Sequence, residues 1–560
     1  MIKNYCFLIL FLFIVRCNAT AQVELVPANH PVYHFLKRMQ LGGIIEDYNS
    51  AILPMSREEV ADLIKEVSRK SELLSTIDKK ILSDLKIEFG FEIDKNLKTN
   101  SSLLNEPKLK NIFDDSKQKH IFAYADSNLS FFFDVQGALS QRNSKGDSLG
   151  SNAITLGELG FTFRGTLFNS VGVYLHPYSG RRLRGEKKDV EFSAKFDPRL
   201  KASNHFMNEY SKYDNFEGYI RYRAPSRWIS LTIGRELLLE GFGYNDKMLL
   251  SSNTVPFDFA KLDLAYKSFK YSFLYGALRG DSLGRQILYK NIVTNRLDIK
   301  FSPDVRFGVW ESVIVSDNPF SLSYVNPINF IFSSDINGSI EQTYNNNTLL
   351  AFDMEVLPVK NLALQGTLLI DDLNLSTLYN SDKSSNDNKL GYQMGMMWNN
   401  PFSLNGLTLS VEYLRLSPFV YTHHSNKSQY THSEMPLGVK LPPNGEEISL
   451  KVVYNITNRL TLNLLYQYQR SGEGLIFDST GVLIRNYGGY INWGVGDTLA
   501  KNDFLGGNRI NRNLLTLNLK YEPIKQFYCE FEYRLLAQDL LYLNRKTYDH
   551  LFFLTVKVDY

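Results

Sequence analysis

The sequence predicts an all-β transmembrane barrel of about eighteen antiparallel strands, preceded by a small N-terminal helical module. Three observations carry that prediction: an alternating terminal strand, an export-type beginning with no helical span behind it, and a regular alternation of short and long connections. In the last ten residues, Phe552, Leu554, Val556, Val558 and Tyr560 share one face of an extended strand, and Thr555, Lys557 and Asp559 share the other. Successive side chains alternate across a strand. An edge strand of a soluble domain has this pattern too. Alternation that runs on to a final aromatic suits a barrel better, because there the last strand pairs with the first and removes the open edge that lipid cannot satisfy.

At the other end, Lys3 precedes an apolar run of eleven residues, Tyr5 to Val15, and Ala19-Thr20-Ala21 offers a small-residue cleavage site before Gln22. The run is well short of the ~20 residues that cross a bilayer as a helix, so residues 1–21 are expected to be a secretory signal. Arg16 stands where a lipoprotein signal wants a small residue, which argues against lipidation of Cys17. No later segment is a continuous apolar run of spanning length. The chain is still 44% hydrophobic, with 37 Phe and 33 Tyr, as expected of tilted strands with a weak hydropathy signal. Cys6 and Cys17 leave with the signal, so Cys529 has no intramolecular partner and no disulfide framework is expected. A formal net charge of +3 gives no reason to invoke nucleic acid.

Residues 22–94 read as the helical module. Val32, Phe35, Leu36 and Met39 recur near helical spacing and Gly42-Gly43 stops them. Ser56 with Glu59 three residues on reads as a capping box, followed by Val60, Leu63, Ile64 and Val67 on one face. A third helix carries Ile77, Ile81, Leu82 and Leu85. A polar stretch over 95–117 (Lys98, Asn100, Ser101, Asn105) reads as a linker, and 118–560 as the barrel.

From Asn128 the period changes to two. Leu407, Leu409, Val411 and Tyr413 alternate with Thr408, Ser410 and Glu412; Leu515, Leu517, Leu519 and Tyr521 alternate with Thr516, Asn518 and Lys520. Strands of ~10 residues match a tilted span of a hydrocarbon layer. Eighteen are expected, near 129–141, 154–167, 170–180, 215–224, 227–236, 258–266, 269–278, 294–302, 305–316, 346–357, 361–371, 389–399, 406–417, 447–456, 458–470, 513–522, 525–537 and 548–560. Parity places Leu515, Leu517, Phe527, Phe531, Leu554 and Val556 toward lipid, and Lys520, Glu530, Arg534 and Lys557 toward the lumen. Asn169, Pro225-Ser226, Lys267-Ser268, Pro303-Asp304, Pro358 to Lys360, Thr457 and Pro523-Ile524 mark tight connections. Long excursions lie between them, near 181–214, 237–257, 317–345, 418–446 and 471–512. Bacterial outer-membrane barrels have short periplasmic turns and long external loops. A soluble sandwich has no reason to sort loop length by side.

Charged residues crowd one face of several strands. Glu217, Arg221 and Arg223 share a face with Tyr219; Arg296, Asp298 and Lys300 share another; Glu158 and Arg164 belong to a third. In a barrel these point into the lumen, either as a polar path for a charged or sugar ligand or as an ion-pair network that rigidifies the interior. The long loops mix aromatics with amides and glycines, most clearly in Asn486-Tyr487-Gly488-Gly489-Tyr490-Ile491-Asn492-Trp493 with Asp497 beyond. Flat rings cover apolar sugar faces while amides and carboxylates bond hydroxyls, so Tyr487, Tyr490, Trp493 and Asp497 are candidate polysaccharide contacts. The alternative is that Tyr and Trp pack the loops or sit in an interfacial girdle. No HExxH, paired CxxC, Walker loop or GxSxG occurs, and His423-His424 lacks a third metal ligand. Neither an enzyme nor a cofactor or metal site is expected.

One stretch resembles a known family. Gly234-Arg235-Glu236, Gly241-Phe242-Gly243, Leu249 to Pro256 and Leu262 resemble the hallmark region of Wzi-type capsule assembly proteins. Glu311, Asn318-Pro319 and Tyr324 to Phe330 are similar to a second segment, and His30 to Leu36 with Leu53 to Arg57 resemble the N-terminal module of the Bacteroidetes branch. Where that family has a Trp-Gly pair, Phe242 here lies between two glycines. The resemblance implies an eighteen-stranded barrel in the Gram-negative outer membrane with its helices in the periplasm. It also implies a lectin-like role in holding or organising capsular or extracellular polysaccharide. Strand order puts Gly241 to Pro256 in an external loop, with Arg235, Glu236, Ser251 and Asn253 either as polar contacts for the polymer or as residues that only fold the loop into the barrel mouth. The expected partners are that polysaccharide, outer-membrane lipid and periplasmic assembly proteins docking on the helices. A diffusion channel or a structural anchor are the competing readings.

Overall fold

The computed structural model describes residues 22–560 except 106, 108, 284–285, 317–321, 329–345, 374–387, 426 and 497–501. The expected signal, 1–21, lies outside the described residues. Helices α1 (Val32–Leu41), α2 (Arg57–Arg69), α3 (Thr76–Glu88) and α4 (Gly90–Asp94) form the N-terminal module. The capping box at α2 is made in full: Glu59 N–H donates to Ser56 Oγ, and the Glu59 carboxylate accepts from Ser56 N–H. Apolar faces of the helices meet in one core of Phe35, Leu36, Val60, Ile64, Leu82 and Phe89. The stretch over 95–117 is not a free linker. Asn100–Ser102 pairs in parallel with Gln118–His120, and Asp115 accepts from Arg459 Nη1 at 2.6 Å and from Lys525 N–H at 2.8 Å. Its polar side chains find partners on the barrel rim, a contact that composition cannot show.

The barrel strands are β1 (Leu129–Gly146), β2 (Asn152–Leu167), β3 (Val171–Arg184), β4 (Lys212–Arg223), β5 (Ile229–Glu236), β6 (Phe257–Tyr266), β7 (Phe269–Leu283), β8 (Gln286–Ser302) and β9 (Val305–Ser316). The hoop continues with β10 (Asn347–Val359), β11 (Leu362–Asp372), β12 (Lys389–Asn399), β13 (Leu407–Leu416), β14 (Gly445–Asn455), β15 (Leu460–Glu473), β16 (Asn508–Ile524), β17 (Phe527–Leu540) and β18 (Arg545–Asp559). Each pairs antiparallel with the next, and β18 closes the sheet on β1 from Asp549–Gly146 to Asp559–Gln136. A four-residue strand, Phe122–Ala125, also lies on the start of β1. All eighteen expected strands are present.

Tight connections at one end use left-handed backbone at Asn169, Lys267, Asn361 and Gln526, conformations that hairpin turns require. At the other end three expected gaps, 142–153, 279–293 and 538–547, are mostly strand. There β1–β2, β7–β8 and β17–β18 run on as long hairpins. The β1–β2 connection is polar (Asp147, Ser148, Ser151), so apolar alternation stops before the ladder does, whereas the β17–β18 connection carries exposed Leu541, Tyr542 and Leu543.

Side-chain parity follows the sequence reading. Leu159, Ile220, Ile233 and Leu554 face outward and are each more than half exposed, an apolar belt suited to lipid. Inside, Asn518 Nδ2 donates to Glu530 and Glu532, and Arg534 lies over the Phe196 and Phe553 rings.

Candidate functional site

The lumen is filled from both ends. The module enters from the end of the tight turns and meets inward-facing groups around the hoop. Gln22 Nε2 donates to Ser130 on β1 at 2.8 Å, and Thr166 on β2 donates to Glu24 at 2.6 Å. Tyr219 OH on β4 accepts from Leu25 N–H at 2.6 Å. Asn49 Nδ2 reaches Asp298 on β8 at 3.2 Å, Lys37 Nζ reaches Glu355 on β10 at 2.6 Å, and Arg38 Nε reaches Asn399 on β12 at 3.1 Å. Within the module, burial opposes ionisation of Glu88. His30 at 2.9 Å, with Arg57 behind it, outweighs that effect and holds the carboxyl down at about 2.

From the opposite end comes the connection between β5 and β6, residues 237–256. It starts at the long-loop end, as strand order implies, and folds inward as the second reading has it: Leu249, Leu250 and Ser251 are buried. Leu239–Glu240 pairs antiparallel with Ile52–Leu53 of the module. The chain then crosses the lumen. Phe242 N–H donates to Asp353 on β10 at 3.3 Å and Tyr244 N–H to Glu412 on β13 at 2.9 Å. Lys451 Nζ on β14 donates to Tyr244 O at 2.9 Å. Since β14 stands eight strands from β6, nearly half the hoop away, the segment spans the diameter. Gly241, at φ +93°, turns the chain, and Leu249 packs where a side chain would stand, 2.9 Å from an added Cβ. The physical reason for the inward course is apolar: Phe242, Met248, Leu249 and Leu250 are all buried.

The connection over 417–444 lies on this segment. Tyr421 OH donates to Met248 O at 2.6 Å and Tyr430 OH to Leu249 O at 2.8 Å, with the two rings stacked at 5.2 Å. Together with inward-facing Trp310, Ile314 and Leu349 they make a hydrophobic core inside the barrel. Trp310 Nε1 donates to Glu240 at 3.1 Å. In the β3–β4 connection, α5 (Lys187–Ala194), α6 (Pro198–Ala202) and α7 (Asn204–Glu209) cover the neighbouring wall through Val190, Leu200 and Phe206. Arg142 on β1 binds Ser193 and Asp197 there.

The candidate residues separate into three groups. The six charged strand residues all face the lumen as parts of an ion and hydrogen-bond network. Arg296 binds Asp298 at 2.6 Å and Asp353 at 2.9 Å with all three buried. Arg221 donates to Thr232 and Ser230, and Arg223 meets Ser56 and Glu59. Lys300 meets Asp47, and Glu217 lies 3.8 Å from His176.

The hallmark polar residues do not gather at the mouth. Arg235 faces outward and pairs with Asp258, while Glu236, one residue on, is buried on the inner face. Ser251 and Asn253 both donate to Asp246, which also accepts from Lys440 N–H. They tie the crossing segment to the 417–444 connection. Asp246 itself escaped the sequence reading, because a lone Asp in a polar loop gives no sign that three donors converge on it.

Of the loop aromatics, Tyr490 and Trp493 are exposed at 38% and 39%. Tyr487 lies between the Arg485 guanidinium, at 4.8 Å, and the backbone of Gly507, so its ring packs the loop. Asp497 lies outside the described residues. His423 is held at about 3 by burial and then by His424 and Lys389, so it stays a neutral loop residue.

The family model described as capsule assembly protein Wzi matches residues 155–528, more than half of the chain. Among solved structures, the Escherichia coli outer membrane protein Wzi is 13% identical with a TM-score of 0.57, over 95% of this chain and 99% of that one. It is described as involved in group 1 capsule assembly and as a carbohydrate-binding β-barrel. At this identity the likeness is one of fold. Pseudomonas aeruginosa OprD is 11% identical with a TM-score of 0.42, over 76% of this chain and 95% of that one. A BenF-like porin from Pseudomonas fluorescens Pf-5 is 8% identical with a TM-score of 0.44, over 77% and 99%. No curated protein sequence matches the chain.

Proposed function

The chain belongs to the Wzi capsule assembly family, and from that premise we propose that it binds and organises capsular or extracellular polysaccharide at the surface of the outer membrane, without catalysis. The helical module then lies in the periplasm, where its outer faces are available to assembly partners. One observation carries this reading: a chain segment crosses the lumen from wall to wall and packs on an apolar core along one side, which leaves the long-loop face as the surface that meets a polymer. The E. coli relative is described as carbohydrate-binding, and its barrel is of the same fold. On this chain Tyr490 and Trp493 present exposed rings on either side of Asn492. That mixture suits stacking on sugar faces with hydrogen bonds to hydroxyls. A long polymer is held by many weak contacts acting together, so no deep pocket is needed. Asp497 belongs to the same proposal.

The test is a double variant, Y490A/W493A, in cells that make the polymer. Surface polysaccharide is expected to fall while total synthesis and the amount of folded barrel stay constant, and deletion of the gene should have the same effect more strongly. Surface polymer unchanged in the deletion strain, together with lost uptake of a small solute, establishes the channel reading instead.

A further inference from the structure

The outer wall of the barrel carries a groove that the polymer reading does not use. Its volume is about 490 Å³, and it opens on the lipid side between β2, β3 and β4. Pro177 creates it. The β2–β3 ladder is interrupted between Gly160–Tyr178 and Phe163–Leu175, opposite Pro177, which has no N–H to donate. Outward-facing Leu159, Phe161 and Phe216 wall the resulting dent with apolar surface.

The groove sits at the upper edge of the apolar belt. Reading β3 from its turn end, the outward file is Val171, Val173, Leu175, Pro177, then Ser179 and Arg181. On β4 it is Tyr222, Ile220, Gly218, Phe216, then Asp214 and Lys212. The change from apolar to charged marks the headgroup level of the leaflet on the long-loop side. Arg181 and Lys212 are directly opposite each other in register, and both are exposed. Among the described residues neither has a salt-bridge partner. Like charges directly opposite on a sheet repel, and an anion bridging them removes that repulsion through charge-assisted hydrogen bonds. Arg235 at the groove's margin is already paired with Asp258. Asp214, beside Ser179 in register, offers acceptors suited to hydroxyl or amide donors.

We propose that this face of β2–β4 binds a phosphorylated glycolipid of the long-loop-side leaflet. Its phosphate lies between Arg181 and Lys212, its sugar ring against Ser179 and Asp214, and an acyl chain in the groove floored at Pro177. A plain phospholipid supplies the chain and the phosphate but not the sugar hydroxyls that Asp214 accepts from. The site is on the outer wall and is independent of the loop face assigned to the polymer.

Native mass spectrometry of the full-length detergent-solubilised barrel tests this with bis-phosphorylated lipid A, its dephosphorylated form and phosphatidylglycerol as probes. One lipid A per barrel is expected to be retained, at least tenfold more than either other probe. R181E/K212E should lose that preference, and S179W should block retention by filling the groove. K546E, a charge reversal on the outward face of β18, serves as the control and should leave retention unchanged. The wild-type comparison of phosphorylated with dephosphorylated lipid A needs no variant to fold. Equal retention of those two forms overturns the proposal, as does full retention by folded R181E/K212E. Equal retention of phosphatidylglycerol and lipid A overturns the assignment to a glycolipid.

Discussion

Ile52 of the N-terminal module pairs backbone to backbone with Glu240 of the segment that enters the barrel from the opposite end. The two fillings of the lumen therefore meet and bond inside it. The intact protein is expected to give no steady conductance in a planar bilayer. Replacing residues 241–250 with a Gly-Ser linker removes the diameter-spanning stretch and should produce measurable current. A steadily conducting wild type would show that the filling does not seal the bore.

The register of the terminal strands gives a second prediction. Leu517 faces outward on β16 beside Tyr533 of β17, while its neighbour Asn518 bonds carboxylates inside. Leu517→Arg should destabilise the barrel by roughly 2–4 kcal/mol if the position lies near the bilayer midplane. Urea unfolding in lipid vesicles reads this directly, and parent-like stability of the variant would mean that the strand faces are reversed.

Arg296 is fully buried with Asp298 and Asp353. A side chain on Gly308 would stand 2.4 Å from its guanidinium, so the missing Cβ makes room for the ion cluster. Arg296→Met strands two buried carboxylates and is expected to cost about 3–5 kcal/mol. Adding D298N and D353N to that variant should recover part of the loss, because the uncompensated charges are then gone. No recovery would point to lost packing as the cause.

A pH response follows from His423. Burial, His424 and Lys389 hold its folded value at about 3, against an ordinary value of about 6.5. A base depressed in the fold contributes stability that is present above its unfolded value and is lost as pH falls from about 6.5 toward 3. Gly494 packs directly on the His423 backbone, so acidification should loosen residues 417–425 and 486–494 together. Hydrogen exchange at pH 7 and pH 5, corrected for intrinsic rates, should show faster exchange in both segments at the lower pH. His423→Asn should abolish the difference.

The barrel was legible because its rules are local. Period-two alternation and the sorting of connections by length are written along each strand, and they yielded all eighteen strands and the inward direction of Glu217, Arg296 and their companions. That residues 237–256 fold into the mouth was one of two readings left open; their course across the whole lumen was not legible. Strand order says at which end a connection starts, but only the apolar partners Trp310, Tyr421 and Tyr430, distant in sequence, draw Leu249 and Leu250 inward. The same holds for Arg235. Its family motif suggested a ligand contact, whereas parity, counted from Ile233, turns it outward. Tyr487, Tyr490 and Trp493 looked equivalent in sequence and are separated only by the Arg485 and Gly507 packing that engages the first of them.

Where the inner hydrophobic core lines the wall, part of a strand is apolar on both faces, as toward the end of β9. Val313-Ile314-Val315 has no polar residue to interrupt it, with Ile314 in the inner core and its neighbours in an outer cluster. A barrel with a water-filled bore dilutes such segments with inward polar residues. This chain travels to the outer membrane with undiluted β-forming stretches, which aggregate when unpaired. Such stretches are expected to need shielding until they pair, which light scattering of the urea-unfolded chain diluted with and without a holdase chaperone would check.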